Sequence, residues 1–428
     1  MQKYSIIHPF LPASREVELK ELTKADGILL FDIEGKKYID AIAGLFNFIL
    51  GYNNKEIIES IYEQVQQLPF INMWSSTNRT ISSLADALIE KTQFDFEKVM
   101  YTCTGSESVE LTIKLIRRQQ YFKGNPNKKH IAVFDASYHG SYYGSFTATG
   151  LDKDNYAPYA PMLNGFVYLP VPFLKNNQFT MQNHLQYLEE FFKVNGGLLG
   201  GVIIEPVVGP GGMLPIPEIY LQKLMKLCRE HDVIVAFDEV STGFYRTGEA
   251  FCYQSFKEIK PDILCLSKGI NGGYLPLGAV LLNKNVVDQF GNEGVIMHFS
   301  TQNGNPTCCA AALKVLQLLE EGNYGTVVKE KGEYFERKLK TSLENIKCVT
   351  DIRVTGLMIG IEITNSGQIL SFDEVWDIMK KLKEEGLLVY PFSTKYSSGF
   401  SMMPPYIIAV EEIDEIVDII MKVLRNFK

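Results

Sequence analysis

The stretch VIVAFDEVSTGFYRTGEAFCYQSFKEIKPDILCLSK, residues Val233 to Lys268, contains two short apolar runs that each lead into an ionisable residue. The run from Val233 to Phe237 precedes Asp238, and the run from Ile263 to Leu266 is followed closely by Lys268. Continuous apolar runs of this length are typical of strands buried on both faces of a parallel sheet. Because ligands of such sheets bind beyond the carboxyl ends of the strands, we expect Asp238 and Lys268 to face one crevice.

A carboxylate and a primary amine in one crevice suit a cofactor that has an aldehyde and a ring nitrogen. Lysine can form a Schiff base with the aldehyde, and a carboxylate can keep a pyridine nitrogen protonated, so that the ring accepts electrons when a substrate Cα–H bond breaks. Pyridoxal 5'-phosphate has both groups. From these two residues alone, plainer alternatives stay open, namely an aspartate that caps a helix and a lysine at the solvated surface.

The composition limits the classes of protein to which the chain can belong. It has 428 residues, of which 46% are hydrophobic and 21% charged, which fits one large globular domain with smaller appendages. A formal net charge of −8 and the lack of a basic block give no support to nucleic-acid binding. Seven cysteines without a CxxC pair predict reduced thiols. With no run that resembles a leader peptide, a membrane span or a metal motif, we expect a cytoplasmic protein without bound metal.

Strand and helix patterns alternate on both sides of the central stretch, which predicts an α/β fold with a doubly wound sheet. Residues 150–173 are rich in Pro, Asn and Tyr and are predicted to be a long surface excursion. From about residue 322 the pattern indicates helices on a small, largely antiparallel sheet. The other predicted elements are a hairpin over 28–40, helices over 55–68, 78–91, 217–229, 373–384 and 411–426, and strands over 98–103, 131–134, 200–206, 349–354, 357–363 and 387–390.

Two longer strings identify a family. FDEVSTGFYRTG at Phe237 to Gly248, followed by PDILCLSKGINGGYLPLGA at Pro261 to Ala279, resembles the signature of the class III pyridoxal-phosphate aminotransferases, the fold type I family of ornithine, 4-aminobutyrate and ω-amino-acid transaminases. In that family the aspartate pairs with the pyridine nitrogen and the lysine forms the internal aldimine, which implies these roles for Asp238 and Lys268.

The resemblance also implies the architecture. It implies a large cofactor-binding domain with a mostly parallel sheet, over residues 55–321. A small α+β domain would be built from both termini, over residues 1–54 and 322–428.

Further strings resemble family elements that hold the cofactor. TGSES resembles the element that binds the phosphate, here through Gly105 and Ser106. Taken alone, a strand, Gly-Ser and a helix are more often mere capping. DASYHGS implies that Tyr138 stacks on one face of the pyridine ring, with Val240 on the opposite face. IIEPVVGPGGM puts Glu205 beside the ring or the incoming substrate, with a helix-capping acid as the alternative.

One element implies a dimer. MHFSTQNGNP resembles the segment whose threonine, here Thr301, reaches across a dimer interface to the phosphate of the partner's cofactor. The implied assembly is a homodimer with shared active sites, or a higher oligomer that contains it.

Several residues are assigned around the substrate. AGLFNFILGYNN resembles the segment that lines the substrate pocket, with Phe46 where many ω-amino-acid transaminases have tryptophan. Trp74, in an irregular stretch, is a second candidate, although a packing anchor is the commoner use of such a residue. His139 is assigned a structural or ring-tuning role rather than that of a general base. Tyr245 stands where the family usually has glycine, which leaves the shape of that loop open.

The implied reaction is ping-pong transamination from an amine or ω-amino acid donor to a 2-oxo acid acceptor. Many relatives carry a basic residue just before the Pro-Pro pair, yet none precedes Pro404 in SSGFSMMPPYIIA. Either Lys395 or an arginine elsewhere binds a substrate carboxylate, or the donor lacks an α-carboxylate there.

Two alternatives stay open. One is a pyridoxal-phosphate racemase, epimerase or aminomutase on the same scaffold. The other is a nucleotide-binding regulatory protein that uses the Gly105 seat, although no Walker or GxGxxG motif accompanies it.

Overall fold

The computed structural model describes residues 6, 7, 9, 20–173, 180–290, 295–425 and 427. The strands within these ranges are numbered in chain order. They are β1 (Leu22–Asp26), β2 (Leu29–Asp32), β3 (Lys37–Asp40), β4 (Lys98–Thr102), β5 (His130–Phe134), β6 (Phe166–Leu169), β7 (Leu199–Ile204), β8 (Val207–Val208), β9 (Leu214–Pro215), β10 (Ile234–Asp238), β11 (Ile263–Leu266), β12 (Gly278–Leu282), β13 (Val349–Thr355), β14 (Met358–Asn365), β15 (Gln368–Ile369), β16 (Leu387–Leu388), β17 (Tyr390–Ser393) and β18 (Ser398–Met402).

The helices of the same ranges are also numbered in chain order. They are α1 (Ala43–Phe46), α2 (Lys55–Gln67), α3 (Arg79–Lys91), α4 (Gly105–Phe122), α5 (Tyr143–Ala148), α6 (Met181–Asn195), α7 (Glu218–Glu230), α8 (Lys284–Asp288), α9 (Pro306–Glu321), α10 (Tyr324–Leu343), α11 (Phe372–Glu384) and α12 (Val410–Arg425). Among these helices, none combines the length and the apolar composition that crossing a membrane requires.

A seven-stranded sheet forms the centre of the molecule, in the order β4-β12-β11-β10-β7-β5-β6. Only β12 within it runs against its neighbours β11 and β4, whereas β11, β10, β7, β5 and β6 pair in parallel. Every residue of β7, β10 and β11 is buried, because helices cover both faces of the sheet. The predicted α/β fold with a large, mostly parallel sheet is confirmed.

The side chains of β10 alternate between two apolar layers, as the period of two in a strand requires. Ile234 and Ala236 pack in the layer that contains α4, and Val235 and Phe237 pack in the layer on the opposite face. Gly201 in β7 lets α4 approach closely, since a Cβ atom there would lie 2.7 Å from side-chain atoms of Ile116. This close packing fixes the start of α4 relative to the strand ends.

The two ends of the chain meet in a smaller sheet. β16 pairs in parallel with β3, which is the inner strand of the hairpin pair β2–β3, and β13, β14, β18 and β17 form an antiparallel sheet beside it. A small α+β part built from both termini is therefore confirmed. The boundaries at 54/55 and 321/322 stay predictions. Residues 1–5, 8 and 10–19 of the first segment lie outside the described ranges.

Two sequence-based expectations are wrong. The stretch over 150–173 is not only a surface excursion, because β6 within it pairs in parallel with β5 and forms the edge of the large sheet. Its four residues, FVYL, are too short for a clear strand signal. The single strand over 387–390 is instead split into β16 and β17, which belong to different sheets, because the chain crosses from one sheet to the other at Val389.

Candidate active site

Asp238 and Lys268 lie at the same edge of the large sheet. β10 and β11 are neighbouring parallel strands in which Asp238 is opposite Cys265, and Lys268 begins the 3-10 turn that follows β11. The Nζ atom of Lys268 donates a hydrogen bond to Oγ of Ser241 at 2.6 Å. The backbone of Lys268 has a φ of +42°, a left-handed conformation that persists only where the surrounding structure imposes it. The fold thus holds this side chain in the crevice.

The surroundings of Lys268 favour its neutral form. Burial lowers the pKa of the Lys268 amine below its usual range; the charges of Asp238 and Glu205 oppose this effect and that of Arg246 adds to it. Arg246 is itself buried, and its Nη1 donates to the carbonyl oxygens of Leu357 (3.2 Å) and Pro404 (2.7 Å). A neutral amine can accept a proton, so this site suits Lys268 as a base.

The loop before Arg246 contains the departure from the family pattern. Tyr245 has a φ of +68°, the left-handed backbone that glycine adopts without cost. Its backbone N–H donates to the carbonyl of Ala250 at 3.3 Å. The loop therefore keeps a glycine-like conformation although the residue is tyrosine.

Asp238 is bound to a histidine from a distant part of the chain. Nδ1 of His139 lies 2.7 Å from Oδ2 of Asp238, and both side chains are buried. The other carboxylate oxygen accepts the backbone N–H of Val240 at 3.1 Å. Nε2 of His139 is buried and has no partner among the described residues. This pair fixes the orientation of the carboxylate, as expected for a residue that tunes a neighbouring ring.

Glu239 points away from Asp238 and ties down a separate loop. Its carboxylate accepts hydrogen bonds from the backbone N–H groups of Cys252 and Tyr253 and from the Thr242 hydroxyl. Burial raises the pKa of Glu239 from 4.5 to about 7, against the opposing effect of these donors. Its function in this site is structural.

This shift makes a prediction for stability. The native protein holds the Glu239 proton up to about pH 7 while the unfolded chain releases it near pH 4.5, so the contribution of Glu239 is lost as pH rises through this window. We expect the wild-type free energy of unfolding, relative to Glu239→Gln, to fall by about 3 kcal/mol between these pH values. Denaturant melts of the two proteins at matched pH measure the difference. A difference that stays constant with pH would contradict it.

Glu205 binds the loop that carries Tyr138. Its Oε1 accepts the backbone N–H of Tyr138 at 2.9 Å and its Oε2 accepts that of Gly209 at 3.0 Å. The pKa of Glu205 is raised to about 7, chiefly by burial and with a contribution from the charge of Asp238, whereas His139 and the two backbone N–H donors oppose the rise. Near neutral pH this group can therefore take up or release a proton beside the crevice.

The start of α4 has the geometry of an anion-binding site. Thr104 caps the helix through its side chain, which accepts the N–H of Glu107 at 3.1 Å, and no described residue accepts the N–H groups of Gly105 or Ser106. The backbone of Gly140 approaches Ser106 so closely that a Cβ atom would lie 2.5 Å from its hydroxyl oxygen. Free N–H groups at a helix start attract a phosphate.

The chemical groups around this crevice match those of pyridoxal phosphate. A buried carboxylate, a primary amine and an open helix start match its ring nitrogen, aldehyde and phosphate respectively. A Cβ atom at Gly105 would lie 2.9 Å from Cγ1 of Val240, so the phosphate seat and the loop after Asp238 are adjacent.

Of the residues assigned to the substrate or to the partner's cofactor, one lies near Lys268 and two are exposed at the surface. The ring centroid of Phe46 lies 5.2 Å from Nζ of Lys268, within the crevice. Trp74 is 82% exposed and packs edge-on against Phe299, and Thr301 is exposed in a turn. Their assigned roles, like those of the other candidate residues, stay predictions.

Sequence reasoning missed three residues near the crevice. Ser241 is the hydrogen-bond partner of Lys268, and its position directly after Val240 is a signal that could have identified it. The ring of Tyr390 contacts that of Phe46 edge-on at 5.2 Å. Asp152 lies in a turn that is held next to Tyr138 by the hydrogen bond from Leu151 N–H to the Ser137 carbonyl, and its charge adds to the rise that burial causes in the pKa of the Tyr138 phenol. No local pattern marks Tyr390 or Asp152, because they reach the crevice only through the tertiary fold.

Lys395, which the sequence offered for a substrate carboxylate, is already paired, and so is the buried arginine Arg353. Nζ of Lys395 lies 2.6 Å from Oδ2 of Asp135. Arg353 is buried, and its Nη1 lies 3.3 Å from Oε2 of Glu362 and 3.4 Å from Oδ2 of Asp351. Each of these two side chains therefore already forms an ion pair with an acid in this structure.

The family model, the relatives and the solved structures that resemble this chain are all described as aminotransferases or transaminases. The family model described as aminotransferase class-III matches residues 12–424. Acetylornithine aminotransferase of Clostridium acetobutylicum is 32% identical, over 92% of this chain and 93% of the relative. The chloroplastic gamma aminobutyrate transaminase 3 of Solanum lycopersicum is 30% identical, over 99% of this chain and 84% of the relative. An amine transaminase from an uncultivated Pseudomonas species, solved in its PLP-bound internal aldimine form, superimposes with a TM-score of 0.93 at 26% identity and covers 100% of both chains.

Proposed function

The chain belongs to the class III aminotransferases, which depend on pyridoxal phosphate, and we propose that it moves an amino group from an amine or ω-amino acid donor to a 2-oxo acid. The observation that carries the proposal is the placement of two residues at one edge of the sheet, with Asp238 at the end of β10 and Lys268 directly after the neighbouring parallel strand β11. The donor becomes a carbonyl compound and the 2-oxo acid becomes an amino acid, so atoms and electrons balance over the two half-reactions.

The bound cofactor supplies an aldehyde that takes up amino groups and a ring that withdraws electrons from the substrate carbon. We propose that Gly105 and Ser106 bind its phosphate, that Tyr138 and Val240 flank its ring, and that Lys268 binds its aldehyde carbon. The open N–H groups at the start of α4 support the phosphate assignment.

Lys268 is the proposed base that moves the proton at the substrate carbon. Its lowered pKa favours the neutral amine that this role needs, and the Ser241 hydroxyl orients Nζ. Asp238 is proposed to keep the ring nitrogen protonated, with His139 fixing its carboxylate at 2.7 Å. Glu205 positions Tyr138 through its backbone N–H. Burial of these groups strengthens their electrostatic interactions.

A single-turnover experiment tests the reaction class. An amine donor given alone to the holoenzyme is expected to yield about one equivalent of carbonyl product per site and then stop, because the amino group has no acceptor. Adding a 2-oxo acid restarts product formation. Continued turnover of the donor without acceptor, into an isomer, would favour the racemase, epimerase or aminomutase alternative, which the relatives named as aminotransferases do not favour.

We further propose a homodimer in which Thr301 of each chain completes the partner's phosphate site. The exposed apolar side chains near Thr301 support an interface there, since large apolar groups in a cluster are rarely left in water; they are Trp74, Met297 and Phe299. The cytoplasmic location and the three-segment domain division stay predictions.

Mixed dimers test this shared site. Lys268→Ala lacks the amine, and Thr301→Glu puts a negative charge against the phosphate, so each variant alone is expected to be inactive. A mixed dimer of the two contains one intact site, and coexpression at equal amounts is expected to restore roughly a quarter of the wild-type activity, since half of random dimers are mixed. Inactive mixed dimers, isolated through two different affinity tags, would show that Thr301 acts within its own chain, and a fully active Thr301→Glu variant would show that Thr301 has no role.

A further inference from the structure

The segment from Val295 to Asn303, which carries Thr301, lies against α4. Along its first seven residues the side chains alternate between two degrees of exposure. The exposed ones are Val295, Met297, Phe299 and Thr301, and the partly buried ones are Ile296, His298 and Ser300. The partly buried side chains fix how this segment lies on the protein, and they therefore determine that Thr301 points outward.

His298 joins this segment to the first turn of α4. Its Nε2 lies 3.0 Å from Oε1 of Glu107, and only 9% and 10% of the two side chains are exposed. The other carboxylate oxygen, Oε2, accepts the backbone N–H of Cys103 at 2.8 Å. Glu107 directly follows Gly105 and Ser106, the residues proposed to bind the phosphate. The segment is thereby tied to the same helical turn as the proposed phosphate site.

A lysine of α4 determines the protonation state of His298. Nζ of Lys114 lies 3.3 Å from Nδ1 of His298 and donates to the carbonyl oxygen of Met297 at 3.1 Å. An ammonium group can only donate hydrogen bonds, so Nδ1 must accept and Nε2 must carry the proton that Glu107 accepts. A doubly protonated imidazole would instead point an N–H group at the ammonium group. His298 is therefore neutral, and it bridges a cation and an anion.

Glu107 needs this bridge because it puts a negative charge into an anion-binding turn. Burial acts to raise the pKa of Glu107, but hydrogen bonds, chiefly those from His298 and the Cys103 N–H, hold that pKa below its usual range. The group is therefore ionised at neutral pH. A carboxylate in the same turn as a bound phosphate repels it unless nearby donors and cations compensate the charge. Here His298 supplies the donor and Lys114 supplies the cation.

We propose that His298 is a positioning residue for the cofactor phosphate, which as a neutral bridge between Lys114 and Glu107 keeps Thr301 pointing outward, toward the phosphate site of the partner. The inference rests on the proposed function, in particular on its shared phosphate site. Without the bridge, the segment loses its tie to α4 and the Glu107 carboxylate loses a buried donor. Both changes weaken the binding of the phosphate.

Two forms of the cofactor that differ only in the phosphate test this inference. The affinities of pyridoxal 5'-phosphate and of pyridoxal are measured with the full-length protein after removal of its cofactor. The wild-type protein is expected to prefer the phosphate form. His298→Leu is expected to lower the ratio of the two affinities by about tenfold or more, as the loss of a buried hydrogen bond to a charged group predicts. His298→Gln keeps a donor and an acceptor and is expected to stay within about threefold of the wild-type ratio.

Two lysine variants test the bridge without changing a buried group. Lys114 is exposed, and Lys114→Met is expected to lower the ratio by about threefold, because an exposed contact is worth less than a buried one. Lys123→Met is the matched control at the other end of α4, where Lys123 pairs with Asp232 at 2.7 Å, and it is expected to keep the wild-type ratio. If His298→Leu fails to fold, Lys114→Met decides.

The outcomes separate this inference from the function on which it rests. A His298→Leu variant that keeps the wild-type ratio, or that binds both forms more weakly to the same extent, overturns the role of His298 and leaves the phosphate site and transamination intact. An unchanged ratio in Lys114→Met, or a loss in His298→Gln as large as in His298→Leu, overturns the bridge. A wild-type protein that binds pyridoxal as tightly as pyridoxal 5'-phosphate overturns the phosphate site itself, and this inference with it.

Discussion

Replacing Lys268 by alanine is expected to abolish transamination. The variant loses the amine that is proposed both to bind the cofactor aldehyde and to move the proton at the substrate carbon, and among the described residues no other lysine or histidine forms a hydrogen bond with Ser241. General base catalysis alone contributes about 10²–10⁴-fold, and the loss of covalent attachment adds to it. The rate of carbonyl formation from an amine donor and a 2-oxo acid, followed with saturating cofactor, measures the effect.

A matched control and a rescue sharpen this test. Lys257→Ala removes an exposed lysine from the same segment and is expected to keep wild-type rates. Added methylamine is expected to restore part of the activity of Lys268→Ala, because a small free base can enter the space that the side chain leaves. Normal turnover by Lys268→Ala without added amine would refute the assignment of the base.

Replacing Asp238 by alanine is expected to lower kcat by about 10³-fold. Asp238 is proposed to place a buried carboxylate next to the ring nitrogen and to keep that nitrogen protonated, and removal of one such preorganised electrostatic interaction costs about 10²–10³-fold or more. The change also leaves Nδ1 of His139, now 2.7 Å from Oδ2 of Asp238, without its buried partner. Single-turnover rates with one donor separate this catalytic loss from weaker cofactor binding.

Asp238→Asn distinguishes charge from geometry. The amide keeps the size of the side chain and one acceptor oxygen but not the negative charge, so we expect its kcat to be nearly as low as that of the alanine variant. If Asp238→Asn were close to wild type, the carboxylate would act only by orienting its neighbours. Circular dichroism of both variants checks that the fold is retained.

The strand ends illustrate what could be read from local patterns. The apolar runs before Asp238 and Lys268 indicate strands buried on both faces, and all residues of β10 and β11 are buried. Because side chains alternate along a strand and ligands bind at the carboxyl ends, the position of the crevice follows from the order of residues alone. The same holds for the start of α4, where the Thr-Gly-Ser sequence is a local capping signal.

The contacts that tune the crevice could not be read in this way. His139 and Asp238 are 99 positions apart, and Lys395 is paired with Asp135 from a different sheet. Residues 166–169 gave too short a pattern to be recognised as a strand, yet they pair with β5 as the sheet edge. Such contacts depend on how separate elements pack, which no local pattern encodes.

The sequence by itself determined the family, through strings that resemble its signature. The periodicity and spacing of neighbouring residues indicated the type of fold and the two residues, Asp238 and Lys268, that lie at one edge of the sheet. Only the tertiary structure decided which charges are paired and which are not. Lys395 and Arg353 are engaged by acids, whereas Asp152 has no partner among the described residues. The physical reason is that pairing depends on distances of a few ångströms between side chains from distant parts of the chain, and folding alone sets those distances.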